Sequence, residues 1–280
     1  MIRNRRRSAR RDETAKTIVG LLLGVVALAI FAIGGYLFIS TKGPELSEDG
    51  CPVDPKQSPE HLVVLIDLTT PFNEGQRQNL EGFSQKLFDE IDRYSRVSLY
   101  RLNDGSLTQT DKVIEVCSPG NPKNASEWTQ NLRNVQKRFT TNFKNKVIEE
   151  LELMKEKTQA GTSSEILASI RALSQIEFIK PKALETRLII ISDLIENSST
   201  LNMYEAKKIP ELSDFWKQTG GKDLVSRLNG IQVTFLYVDN SPRIQSQLEF
   251  KRFWVKYAIE NGSIDSSGSP GAEYRNFVNY

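Results

Sequence analysis

From Thr17 to Thr41 the chain carries no charged side chain, and this stretch limits its possible folds more than any motif does. Its core, TIVGLLLGVVALAIFAIGGYLFI, is long enough as a helix to cross roughly 30 Å of hydrocarbon. A buried helix of this length in a soluble protein would show a polar face, and none is visible. Seven basic residues precede it (Arg3, Arg5, Arg6, Arg7, Arg10, Arg11 and Lys16) against Asp12 and Glu13, a balance of 7 − 2 = +5 over residues 1–16. The flank beyond it holds only Lys42 among several acids. The positive-inside rule then keeps the N-terminus in the cytoplasm and sends the rest across, anchored by residues 17–41. A cleaved signal peptide is the poorer reading, because the apolar run is too long for an h-region and no A-x-A site follows it.

The whole chain has 280 residues and a net charge of +2, so the part beyond residue 16 carries 2 − 5 = −3. A mildly acidic domain behind a basic arm argues against nucleic acid as a partner. At 39% hydrophobic residues there is enough for one core of about 200 residues. The two cysteines, Cys51 and Cys117, both follow the apolar stretch. In an exported domain an even count suggests a disulfide between them, and two unrelated buried thiols are the alternative. Neither has a second Cys or a His nearby in sequence, so zinc is not indicated.

Residues 42–60 are rich in Pro, Gly and acids and read as a linker. HLVVLID is then a short apolar run ending in a carboxylate, as suits a buried parallel strand. Leu80, Phe83, Leu87, Ile91 and Tyr94 follow at helical spacing. RVSLYRL and KVIEVC are two further strands around a turn containing Asn103-Asp104-Gly105. A long helix is expected over Trp128, Leu132, Val135, Phe139, Phe143, Val147 and Leu151, and a shorter one over Ile166, Leu167, Ile170 and Leu173. RLIIISD and IQVTFLYVD are strands that also end in Asp, and a last helix carries Phe250, Phe253, Trp254 and Tyr257. Strands alternating with helices give an α/β fold, a doubly wound and mostly parallel sheet over residues 61–262. The tail, 263–280, shows no readable pattern.

Three strands thus end in Asp67, Asp193 and Asp239, and ligands of such sheets bind at strand carboxyl ends where the strand order reverses. Asp67-Leu68-Thr69-Thr70-Pro71 follows the first strand, Gly161-Thr162-Ser163-Ser164 precedes the shorter helix, and Ser192-Asp193 closes a later strand. Two carboxylates and several hydroxyls offer hard oxygen ligands to a divalent cation. In these residues, and in the order of its elements, the chain resembles the von Willebrand factor A family. Many of those domains bind Mg²⁺ through Asp-x-Ser-x-Ser, a loop Thr and a strand-end Asp, and an acidic residue of a protein partner completes the shell. The resemblance implies metal ligation by Asp67, Thr69, Thr162 and Asp193. Pro71 stands where the third hydroxyl belongs, and Leu194 replaces the glycine that follows the last Asp.

Each of these residues also has a plain structural reading. Thr162 with Glu165 forms a capping-box pattern, and Thr69 and Thr70 before a proline are ordinary helix-capping residues. Catalysis finds little support. His61 is the only histidine and begins a strand, and no Gly-rich phosphate loop follows any strand. A first-strand Asp is also the nucleophile position of haloacid dehalogenase phosphatases, but Thr69 stands where that family needs a second Asp. The expectation is therefore a non-enzymatic, membrane-tethered module in the periplasm of a bacterium, holding a protein partner with the help of Mg²⁺. A metal-dependent hydrolase on the same carboxylates, or a structural subunit with a vestigial site, are the alternatives.

Overall fold

Runs of branched apolar residues become central strands here, and amphipathic segments cover them. The computed structural model describes residues 20–36, 43–108, 111–125, 131–156, 160–218 and 220–279, in two units, Met1–Pro44 and Glu45–Tyr280. In the first unit, residues 20–36 form helix α1, every side chain of it exposed. No helix among the described residues is long and apolar enough to cross a membrane. Of the spanning helix expected over 17–41, the described part is residues 20 to 36, seventeen helical residues. Residues 17–19 and 37–41, like the basic arm 1–16, lie outside the described residues.

In the second unit the chain runs β1 (Glu60–Asp67), α2 (Glu74–Glu90), β2 (Arg96–Leu102), β3 (Lys112–Cys117), α3 (Leu132–Phe139), a π-helical turn (Thr140–Lys144), α4 (Asn145–Lys155) and α5 (Ile166–Ile176). Then come β4 (Glu185–Ser192), α6 (Leu212–Phe215), β5 (Gln232–Tyr237), α7 (Pro242–Gln245), α8 (Leu248–Glu260) and β6 (Glu273–Asn276). The six strands form one sheet in the order β3-β2-β1-β4-β5-β6. Only the β2–β3 pairing is antiparallel. Val63, Leu65, Leu188, Ile190 and Phe235 face α5 and α8 on one side, where Leu167, Ile170, Phe250 and Trp254 meet them. Leu62, Val64, Ile66, Ile189 and Ile191 face α2, α3 and α4 on the other, against Leu80, Phe83, Phe143 and Val147. Burial on both faces is why β1 and β4 read as continuous apolar runs rather than alternating ones.

Three elements differ from the sequence pattern. α2 stops at Glu90 instead of reaching Tyr94. Tyr94 takes a left-handed φ of 69°, and its N–H donates to the Ser118 carbonyl at 2.7 Å, a turn contact no helix could make. The long helix begins at Leu132 and contains the π turn, while Trp128 lies outside the described residues. The tail adds β6, a sixth strand parallel to β5. The disulfide between Cys51 and Cys117 is present, with Cα atoms 4.9 Å apart, and ties the linker to the end of β3.

A polar cluster fills the α5 side near the start of β1. Glu177, just past α5 and without exposed side chain, binds Lys112 and Lys182 at 2.6 Å each and accepts a hydrogen bond from the Tyr100 hydroxyl. Glu115 accepts from Lys112 at 2.6 Å and from Lys182 at 3.1 Å, and also pairs with Arg96. Burial acts to raise Glu177, but hydrogen bonds from Lys112, Lys182 and Tyr100 outweigh it and hold the carboxyl below its usual range. His61, fully buried, shares a 2.9 Å hydrogen bond with Ser98, and its Nδ1 has no partner. Burial lowers its pKa to about 4 despite the nearby Glu177 charge.

Candidate functional site

From β1 the chain passes to β2 on one side, whereas β4 lies on the other. The crevice between the carboxyl ends of β1 and β4 is therefore the point where the strand order reverses. Asp67 closes β1 there, and Asp193 follows β4 directly. Side chains alternate along a strand. Asp67 continues the α5-facing series of Val63 and Leu65, and Asp193 continues the α2-facing series of Ile189 and Ile191.

Asp67 is almost fully enclosed by donors. Its Oδ1 accepts from the Thr69 N–H at 3.0 Å and the Thr69 hydroxyl at 2.7 Å. Its Oδ2 accepts from the Ser192 hydroxyl at 2.6 Å and the Ser164 hydroxyl at 3.2 Å. Asp193 accepts from the Ile195 N–H at 3.0 Å, from Asn240 Nδ2 at 2.8 Å and from the Thr70 hydroxyl at 3.3 Å. Burial, and then the charge of Asp67, push the Asp193 carboxyl up to about 6. Both carboxylates line one small pocket with Thr70, Phe72, Gln76, Val238 and Asn240. Asp239 stands apart and exposed, its carboxylate accepting from Asn276 Nδ2 at 3.0 Å.

Of the four residues read as ligands, Asp67, Thr69 and Asp193 come together at this crevice, and Thr162 binds Asp104. Asp104, across the loop, accepts the N–H groups of Thr162 at 2.9 Å and Ser163 at 2.8 Å. The Thr162 hydroxyl also lies 3.1 Å from both Asp104 oxygens. That anchoring turns Thr162 outward and Ser164 inward. The backbone just before it is equally constrained: Gly161 donates to the Thr69 carbonyl at 2.8 Å, and a Cβ on it would lie 2.6 Å from the Asn103 carbonyl oxygen. Nor does the capping-box pattern form. α5 has Glu165 at its N-cap with no side-chain bond, and Glu196 instead accepts from the Leu167 N–H at 3.0 Å. α2 is capped by Asn73 and Gln76 rather than by Thr69 or Thr70.

Ser164, Ser192, Thr70 and Asn240 are the site residues that the motif spacing does not single out. Ser164 and Ser192 sit within the motifs themselves, and their spacing from Thr162 and Asp193 is the one available signal. Leu194, which stands where the family pattern has glycine, takes a left-handed backbone with φ 58°. For a leucine this costs about 1–2 kcal/mol. Complete burial, a 2.8 Å bond from its N–H to the Ser192 hydroxyl and a 3.0 Å bond from Trp254 Nε1 to its carbonyl hold it there.

Among the described residues no group of three or more His, Cys, Asp or Glu gathers that could hold a metal. The donors at the crevice are two carboxylates and hydroxyls, all oxygen, a set that fits a hard cation such as Mg²⁺ and not zinc.

A scan against protein-family models finds no match, and neither does a search of curated proteins. Among solved structures, the chain is similar to an aerotolerance-related membrane protein from Bacteroides fragilis NCTC 9343 carrying multiple mutations to serines. That match has 12% identity and a TM-score of 0.37, and it covers 74% of this chain and 92% of that one. A second similarity is to the manganese-loaded TRAP protein of Plasmodium vivax, at 12% identity and a TM-score of 0.35, covering 79% and 70%. A third is to the pilus adhesin SpaC from Lactobacillus rhamnosus GG in an open conformation, at 12% identity and a TM-score of 0.43, covering 85% and 29%. With identities and TM-scores this low, the functional reading of this chain rests on its own residues.

Proposed function

We propose that this chain is a membrane-tethered, von Willebrand A-like binding module that captures a protein partner at the crevice between β1 and β4. The observation that carries the reading is the placement of Asp67 and Asp193 in one pocket at the strand-order reversal. Asp67, Thr69 and Asp193, with Ser164 in the place expected of Thr162, would hold Mg²⁺. Bound there, the cation supplies positive charge for an acidic group of the partner. Thr162 could join only by giving up Asp104. Titration calorimetry of the full chain with Mg²⁺ tests this. Binding should be lost in Asp67→Asn and Asp193→Asn chains that keep the native circular dichroism.

One observation favours a second reading, a structural subunit with a vestigial site: four protein donors already occupy Asp67. Absence of Mg²⁺ binding by the native chain, or equal binding by both variants, would decide for it.

We further propose that residues 17–41 anchor the chain, with the N-terminus cytoplasmic and the sheet domain periplasmic. Supporting this are the arginines before the uncharged stretch and a disulfide, which persists in oxidising compartments. A reporter active only after export, fused behind Tyr280, is expected to be active. A silent reporter, paired with an active cytoplasmic one at the same position, would reverse the topology.

A further inference from the structure

Away from the strand-end crevice, the end of α2 and the length of α3 enclose a groove of about 960 Å³. Phe88, Leu132 and Phe139 supply its apolar part, and Arg133, Lys137 and Lys144 stand around it. Arg133 and Lys137 lie one turn apart on α3, and Lys144, at the end of the π-helical turn, lines the same groove. Phe139 and Phe143 both pack on Phe88, with ring centroids at 6.4 Å and 5.8 Å, which fixes the floor beneath them. Lys144 lies 5.4 Å from the centre of the Phe88 ring, at the border of apolar and charged surface.

The acid at the rim does not offset this charge, because Asp89 is paired with Lys123 at 2.7 Å. Among the described residues Arg133, Lys137 and Lys144 enter none of the salt bridges, which involve Arg96, Lys112, Lys155 and other cations elsewhere. Arg133 and Lys137 are exposed. Three cations without a salt bridge among the described residues, around this hollow on a chain whose sequence beyond residue 16 sums to −3 (+2 − 5), form a local feature opposite in sign to the rest. An anionic membrane surface would call for a flat basic face, whereas these cations ring a concavity.

We propose that this groove docks an acidic, amphipathic segment of a partner protein. Its bulky apolar side chains rest on the half-buried Leu132, above the buried rings of Phe88 and Phe139, and its carboxylates face Arg133, Lys137 and Lys144. This is helix-in-groove recognition, with charge setting the orientation. It stands independently of the strand-end site.

The test uses the full chain in neutral detergent and fluorescence anisotropy with two synthetic amphipathic peptides. Both carry the same Leu and Phe positions, one with Glu and the other with Lys on the polar face, so detergent partitioning is matched. Exposed ion pairs are individually weak, but three acting together should favour the Glu peptide by roughly ten-fold. Combining Arg133→Glu, Lys137→Glu and Lys144→Glu should reverse the preference, and Leu132→Asp should weaken the Glu peptide by a similar factor. An Asp67→Asn chain should bind both peptides as the native chain does, which separates this groove from the crevice. Equal affinity for the two peptides, or a preference unchanged by the triple reversal, would overturn the proposal. So would a dimer of the native chain that the triple variant loses and the Glu peptide does not dissociate, since the occupant would then be a second copy.

Discussion

Replacing Glu177 with alanine is expected to cost about 3 kcal/mol of folding stability, the lower end of the range for breaking a buried ion pair. The side chain has no exposed surface, and it receives two lysines and a tyrosine at once. The loss stays at the lower end because Lys112 and Lys182 keep Glu115 as a partner and remain about a quarter exposed, at 24% and 28%. Tyr100, by contrast, is buried and loses the acceptor of its hydroxyl. Urea denaturation of the single variant, of Tyr100→Phe and of the double variant checks this, and the double variant should be less destabilised than the sum of the singles. A loss below about 1 kcal/mol would show that the cluster contributes no more than a surface network.

The same cluster sets an acid limit. The folded pKa of His61, about 4, lies below its ordinary 6.5. Between those values the unfolded chain takes up a proton that the folded chain refuses, so stability falls as pH is lowered through that window and nothing is lost above it.

Opening the disulfide should have an effect of similar size. The bridge closes a 66-residue separation, for which restriction of the unfolded chain is worth about 4 kcal/mol on the loop-entropy account. For a domain of this size that corresponds to a drop in Tm of roughly 10 °C. Thermal denaturation of the native chain with and without reductant, alongside Cys51→Ser with Cys117→Ser, measures it. Superimposable transitions would mean that β3 and the linker hold together without the bond.

The central architecture was legible because its signal is local. β1 and β4 announce themselves as short apolar runs, since burial on both sheet faces removes polar alternation. The carboxylates at their ends follow directly. What stayed hidden depends on distant or backbone-only partners. Thr162 binds Asp104, 58 positions earlier in the chain, and Ser164 binds Asp67. β6, with the sequence EYRN, has no apolar pattern, and backbone pairing to β5 defines it. Leu194 gives no hint of a left-handed backbone, because its hold on that conformation comes from Trp254, 60 residues away. The capping patterns misled for the opposite reason. They are locally valid, but Asn73 and Glu196 supply the actual caps.

The strand order also fixes a timetable for a chain emerging from its N-terminus. β1, β2 and β3 come from one contiguous stretch, 60–117, and pair among themselves, so both cysteines are available as soon as that half exists. Every later strand adds on the opposite flank, β4 on β1, β5 on β4 and β6 on β5, in the order in which each appears. This order would allow growth outward from a half-sheet whose two cysteines are both already present. Without β4 the flank of β1 at the crevice has no second wall, so the pocket of Asp67 and Asp193 requires both halves of the sheet.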